Sequence, residues 1–232
     1  MTAPQLPYGR QWVTDEDIAA VVEVLRGDFL TTGPTVGRFE AALAAITGTQ
    51  RAVVCNSGTS ALHMMYAAMG VGPGDEIVTS PMTFAATGNA AHYLGASVRF
   101  ADIEPDTGNI DPARVAAAIT PRTRLIVAVD FAGHPAEYNA LADVARAHGV
   151  ALAADAAHSL GATYHGRPVG TLADATEVSL HPVKPITTAE GGAVLTNDVG
   201  IADRAARFRT HGITRDPALL SQFPIGYKHL AY

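Results

Sequence analysis

The sequence is short of cysteine, of like-charged blocks and of long apolar runs. One cysteine, Cys55, in 232 residues excludes an internal disulfide framework and any multi-cysteine metal site, and it fits a reducing compartment. Cys55 itself reads as a small buried strand residue. Sixteen Lys and Arg against twenty-two Asp and Glu give a net charge of −6 with no basic stripe, so neither nucleic acid nor an anionic membrane is an expected partner. No apolar run is long enough to cross a bilayer, and the opening Met1-Thr2-Ala3-Pro4-Gln5-Leu6-Pro7 lacks the basic and apolar regions of a secretory leader. The expectation is a cytoplasmic protein. What is present is a composition with 48% hydrophobic and 16% charged residues, which can bury a full α/β core.

Thr14 followed by Asp15, Glu16 and Asp17 predicts a capped helix start, with Ile18, Val21, Val22 and Leu25 on one face before Gly27. Asp28-Phe29-Leu30-Thr31-Thr32-Gly33-Pro34 is a break, after which Phe39, Leu43 and Ile46 mark a second helix ended by Gly48. Apolar runs at 52–55, 76–79, 98–101, 124–129, 150–154, 176–180 and 193–196 predict about seven strands. Helical stretches lie between most of them. Asp111-Pro112 opens one such helix, and Gly149 closes another over 138–148. The alternation predicts an α/β fold with a mostly parallel sheet between helices. Ligands of such sheets bind at the carboxyl ends of the strands. Three motifs meet that rule: Ser57 to Ser60 follow the first strand, Asp155 ends the fifth, and Lys184 follows the sixth.

These motifs supply an oxyanion cradle, an anion for a ring nitrogen and an amine, the three contacts that pyridoxal phosphate requires. Gly58 permits a tight turn, and Thr59 and Ser60 then begin a helix whose free amides and dipole can hold phosphate. The dipole contributes only about 0.3–1 kcal/mol, so directed hydrogen bonds must carry most of the affinity. Taken singly, each motif has an ordinary reading: a helix cap, a surface carboxylate, a solvated loop lysine. Asp155 opposite a pyridine nitrogen would keep the ring protonated, and His158 would donate to the ring hydroxyl. Lys184 would bond the aldehyde and, once displaced, move a proton between two carbons. Ser179 reaches the same phosphate from a strand end, and Phe84 stacks on the ring unless it serves core packing. Asp155, His158 and His181 could also be read as metal ligands, a reading that leaves the glycine turn unexplained.

At these residues the sequence resembles the DegT/DnrJ/EryC1/StrS sugar aminotransferases, which are fold type I pyridoxal-phosphate enzymes. The resemblance rests on Asp28 to Pro34, on Asn56-Ser57-Gly58-Thr59-Ser60-Ala61-Leu62-His63, on Asp155-Ala156-Ala157-His158-Ser159-Leu160-Gly161, and on the segment from Lys184 to Gly192. It implies pyridoxal 5'-phosphate as cofactor, Lys184 as the Schiff-base lysine, Asp155 at the ring nitrogen, Thr59, Ser60 and Ser179 on the phosphate, Phe84 on the ring and His158 beside it. His181-Pro182-Val183-Lys184-Pro185-Ile186-Thr187-Thr188-Ala189-Glu190-Gly191-Gly192 and Arg209-Thr210-His211-Gly212-Ile213-Thr214-Arg215-Asp216 are similar to the aminotransferases that act on UDP-4-keto sugars in pseudaminic acid biosynthesis. That similarity implies transfer of an amino group from glutamate to C4 of a UDP-4-keto-6-deoxy-N-acetylhexosamine, by a homodimer. Tyr8 and Asp28, Phe29, Leu30 and Thr31 would then face the sugar nucleotide. Relatives that aminate other nucleotide keto sugars share these motifs, and those that dehydrate sugars carry His where this chain has Lys184.

One segment departs from the family pattern. Gly226-Tyr227-Lys228-His229 stands where the family has a Gly-aromatic-Asn-aromatic-Arg segment, and the sequence stops at Tyr232. The expectation is an N-terminal arm and helix over 1–34, a cofactor-binding large domain over 35–232, and no small C-terminal domain. A truncated, non-catalytic scaffold with exposed apolar patches is the reading from a different class.

Overall fold

The computed structural model describes residues 9–214 and 228–229. Helix α1 spans Asp15–Arg26 behind the expected cap. The amide of Asp17 donates to Thr14 Oγ1 at 3.3 Å, and Asp17 Oδ2 accepts from the Thr14 amide at 2.8 Å. Its apolar face is present as the sequence pattern requires, yet α1 buries none of its residues against the described chain. Helix α2 (Pro34–Thr47) begins at its proline and stops at Gly48, whose φ of 69° is the left-handed conformation a helix C-cap needs.

The central sheet has seven strands, one in each window marked by the apolar runs. They are β1 (Arg51–Cys55), β2 (Glu76–Thr79), β3 (Ser97–Phe100), β4 (Thr123–Val129), β5 (Ala151–Asp155), β8 (Ala175–Ser179) and β9 (Gly192–Thr196), with β6 (Thr163–Tyr164) and β7 (Arg167–Pro168) forming a small separate hairpin. The spatial order is β1-β9-β8-β5-β4-β2-β3. Pairings across β8, β5, β4, β2 and β3 are parallel, while β9 runs antiparallel to both its neighbours. The reason lies in the connections. Helices α3 (Gly58–Ala68), α4 (Ala85–Tyr93), α5 (Pro112–Ala118) and α6 (Tyr138–His148) supply the long crossovers that parallel pairing demands. Residues 180–191 between β8 and β9 contain no helix, so the chain turns back on itself. That irregular turn is the one that carries Lys184. Helix α7 (Val199–Arg209) follows β9, and a short antiparallel pair joins β10 (Ile213–Thr214) to β11 (Lys228–His229).

Side chains alternate between the two faces of each strand, and the core divides accordingly. Ile77, Leu125, Val127, Ala153, Ala175 and Val194 pack with Leu62, Met65 and Tyr66 of α3 on one face. Val78, Ile126, Ala128, Leu152, Ala154 and Val178 pack with Leu141 of α6 and Leu43 of α2 on the other. The same alternation continues past the apolar part of two strands. Asp155 stands two residues beyond Ala153, and Glu177 and Ser179 follow Ala175, so all three project toward α3. Polar groups are thereby delivered to the C-terminal edge of a sheet whose interior is apolar.

Candidate active site

The turn after β1 is built for close approach. Ser57 caps α3, its Oγ accepting from the Ser60 amide at 3.1 Å and donating to Ser60 Oγ at 3.0 Å. The amides of Gly58 and Thr59, in the first turn of the helix, have no intrahelical acceptor and lie at its positive end. A Cβ on Gly58 would sit 2.6 Å from Glu177 Oε1 and 2.8 Å from Ser179 Cβ, so only glycine lets the helix start descend onto β8. Gly192 has the same role from β9, since a Cβ there would collide with the backbone of Ser57 and sit 2.7 Å from the Gly58 nitrogen. Gly58, Thr59 and Ser179 all border one cavity of about 550 Å³; Ser60, turned to Ser57, does not.

Asp155 lies at the floor of this cavity and is 6% exposed. Its Oδ2 accepts a 2.6 Å hydrogen bond from Thr87 Oγ1 of α4, and its Oδ1 accepts from the Ala157 amide at 3.3 Å. Thr87 is itself fixed, through Thr83 Oγ1 at 2.7 Å and through its carbonyl, which accepts from the buried Tyr66 hydroxyl at 3.1 Å. Sequence reasoning missed Thr87. Its only signal was its place one helical turn before Ala90 and Ala91, on the small-residue stripe that α4 buries. Replacing Thr87 by valine keeps the shape and leaves Asp155 Oδ2 without its donor. Hydrogen bonds to charged groups contribute about 1.5–3 kcal/mol. The expected result is a loss of that size in denaturant unfolding, together with weaker retention of any ligand that Asp155 holds.

The turn after β5 is held from below by Asp130, at the end of β4. Asp130 accepts from Ser159 Oγ at 2.5 Å, from Tyr138 Oη at 2.8 Å and from the Ala136 amide at 3.0 Å. The carbonyl of His158 closes against Gly133, where a Cβ would be 2.9 Å away and φ is 88°. This clamp turns the His158 ring into the cavity wall. Burial lowers the His158 pKa, and the positive charge of Lys184 lowers it further against an opposing pull from Asp155, so the ring is held neutral near pH 7.

Lys184 borders the cavity from the irregular turn, half-buried, with its amide donating to the His181 carbonyl at 2.9 Å. Thr187 Oγ1 and the Thr188 amide both bond the Leu180 carbonyl, which closes the turn on itself without a helix. Phe84 precedes α4, and its side chain is 77% exposed at the cavity rim, so it is no core residue. Gly58, Thr59, Phe84, Asp155, His158, Ser179 and Lys184 are thus brought together on one cavity. Asp28, Phe29, Leu30 and Thr31 are exposed in the bend between α1 and α2, away from the cavity wall; Tyr8 lies outside the described residues. Asp155, His158 and His181 form no metal-holding cluster among the described residues. Within those residues no helix is long and apolar enough to cross a membrane.

The model of the DegT/DnrJ/EryC1/StrS aminotransferase family matches residues 11–229. The spore coat polysaccharide biosynthesis protein SpsC of Bacillus subtilis is 41% identical over 210 residues, covering 90% of this chain and 54% of that protein. The structure of PseC from Helicobacter pylori, an aminotransferase involved in the biosynthesis of pseudaminic acid, superimposes with a TM-score of 0.90 at 36% identity, over 98% of this chain and 60% of PseC. The pyridoxal-phosphate form of Spr1654 from Streptococcus pneumoniae superimposes with a TM-score of 0.87 at 31% identity, over 97% and 61% of the two chains. The chain therefore spans a little over half the length of these relatives. With a family match across nearly all of its residues and the fold and site turn described above, the chain belongs to the DegT/DnrJ/EryC1/StrS aminotransferase family.

Proposed function

We propose that this chain holds pyridoxal 5'-phosphate in the cavity between α3, α4 and the Lys184 turn, and serves the transfer of an amino group from glutamate to C4 of a UDP-4-keto-6-deoxy-N-acetylhexosamine. The observation that carries the reading is the convergence of Lys184, Asp155 and the Ser57–Ser60 turn on one cavity. The residues fit the group. A helix start pressed so close to β8 that no Cβ is tolerated leaves its free amides for a phosphate, and a buried carboxylate with a fixed orientation suits a cationic ring nitrogen. When bound, the cofactor supplies an electron sink for a carbanion at the amino substrate.

The chain's own groups then divide the remaining work. The amides of Gly58 and Thr59, with the hydroxyls of Thr59 and Ser179, hold the phosphate, and Ser60 supports them by fixing Ser57. Asp155 keeps a proton on the ring nitrogen, held in line by Thr87. His158, neutral, offers an N–H to the ring hydroxyl, and Phe84 covers the ring from the solvent side and keeps water off it. Lys184 anchors the aldehyde carbon and, when freed, carries the proton between the two reacting carbons. Tyr8 and Asp28 to Thr31 are assigned to the sugar nucleotide. The likeness to PseC, an aminotransferase involved in the biosynthesis of pseudaminic acid, supports amino transfer in that biosynthesis, and the resemblance of His181 to Gly192 supports the UDP-4-keto sugar.

The proposal includes a homodimer, and the division of the chain into an arm and helix over 1–34 and a cofactor-binding body over 35–232. Both are supported by α1, which buries none of its residues and leaves Ile18, Val21 and Leu25 exposed. The test is visible absorbance of the chain with pyridoxal phosphate. Glutamate is expected to bleach the band, and the UDP-4-keto sugar to restore it faster than a TDP-4-keto sugar does. A band indifferent to glutamate would remove the donor assignment. Faster recovery with the TDP sugar would remove the UDP one.

A further inference from the structure

One titratable group at this site has no part in the reading above. Glu177 stands in β8 between Ala175 and Ser179, is 1% exposed, and borders the cavity. Its placement is unfavourable for an anion. Its register partner in the neighbouring strand β5 is Asp155, and the Ala156 amide bonds its carbonyl at 2.9 Å, which locks the two carboxyl-bearing residues side by side on the α3 face. From α3, Gly58 presses on Oε1 and Tyr66 stands beside it; from the end of β1 comes Cys55; from β9 comes Val194, its other register partner. Tyr66 is kept as a phenol by burial, and the Cys55 thiol is pushed up to about 11, so neither offers a charge of either sign near pH 7. Lys184 is the cation that favours ionisation, and its influence is smaller than that of burial and of Asp155.

Two adjoining carboxyls with little solvent between them do not both ionise. As anions neither could donate, and both oxygens of Glu177 would then be buried with no hydrogen-bond partner. As an acid, Glu177 has a donor and Asp155 an acceptor, and the contact becomes an attraction. Asp155 pushes the Glu177 pKa up both through its charge and through this side-chain hydrogen bond, on top of the larger effect of burial.

We propose that Glu177 is held as a carboxylic acid that donates its proton to Asp155, so that the pair presents one negative charge to the ring nitrogen, and none beneath the helix start that receives the phosphate. Glu177 is thereby a positioning residue acting through Asp155. The consequence for cofactor retention rests on the function proposed above, whereas the protonation itself belongs to the chain without cofactor. The sign of its pH dependence follows from linkage. A carboxyl whose folded pKa lies well above its ordinary value of 4.5 binds more protons in the folded chain, so its contribution to stability is intact below 4.5 and declines as pH rises from there toward the folded pKa.

The test is infrared spectroscopy of the cofactor-free chain at pH 7, comparing the wild type with Glu177→Gln, which keeps the size and a donor. The expected result is a protonated-carboxyl stretch in the wild type that is missing in the variant, and a wild-type stability that falls relative to Glu177→Gln as pH rises above 4.5. Absence of the band in the wild type would overturn the proposal. So would a band that persists in Glu177→Gln, since it would assign the proton to another buried acid such as Asp130. For the positioning role, Glu177→Leu is expected to weaken retention of pyridoxal phosphate about tenfold while Glu177→Gln preserves it. Equal retention by the two variants would show that donation to Asp155 is not used. Failure of every form to bind pyridoxal phosphate would count against the proposed cofactor and leave the infrared result standing.

Discussion

Replacing Lys184 by alanine is expected to abolish the covalent lysine–cofactor bond, to remove the visible absorbance that accompanies it, and to slow amino transfer on the order of 10²–10⁴-fold or more, the range for a positioned acid or base. The effect is large because one amine has two roles, anchoring the aldehyde and carrying the proton, and no neighbour replaces it. His158 is on the same cavity wall, but an imidazole has no primary amine with which to bond an aldehyde, and its ring is fixed by the clamp beneath it. Weak affinity for pyridoxal phosphate should survive in the variant, because the Ser57–Ser60 turn and Ser179 are untouched. The measurement is a titration followed in the visible range and by protein fluorescence. Loss of the visible band with retained binding is the expected pattern. A band of undiminished strength would remove Lys184 from its role.

Replacing Asp155 by asparagine is expected to leave the lysine–cofactor bond in place and to slow the donor half of the reaction on the order of 10³-fold, equivalent to about 4 kcal/mol of lost carbanion stabilisation. An amide cannot hold a proton on a pyridine nitrogen by charge. It also disturbs its own surroundings, since Thr87 Oγ1 donates to Asp155 Oδ2 at 2.6 Å and an amide nitrogen placed there would face a second donor. Single-turnover rates with glutamate separate the two effects, because a merely structural fault weakens cofactor retention whereas loss of the ring charge slows the chemistry. A half-reaction at the wild-type rate would rule out the ring-nitrogen role.

Much of the fold was legible because its signals are local. The seven apolar windows each became a strand, and the caps at Thr14, Asp111, Gly48 and Gly149 lie where the sequence puts them. The site motifs were legible for the same reason: Ser57 to Ser60, Asp155 and Lys184 each follow or end a strand whose carboxyl edge the alternation of elements had fixed. What escaped was set by tertiary packing. Thr87 is one of many threonines until α4 lays it against Asp155. Glu177 sits in a run that reads as an ordinary strand with one charged residue, and only strand order puts it beside Asp155, since β5 and β8 pair across the intervening β6–β7 hairpin. The antiparallel direction of β9 depends on what residues 180–191 fail to form. Ser60, read as a phosphate ligand, accepts from Ser57 Oγ at 3.0 Å, a contact within the turn that the sequence alone does not specify.

The central claim is that Lys184 is the amine that holds the cofactor. The chain has only two lysines, Lys184 and Lys228, which makes the claim unusually easy to decide. The chain should be mixed with pyridoxal phosphate, reduced with borohydride, digested, and the modified peptide located by mass spectrometry. The account expects the pyridoxyl group on the peptide containing His181 to Glu190, at Lys184. A modification at Lys228 or at the N-terminal amine, or an unmodified Lys184 after reduction, would contradict it.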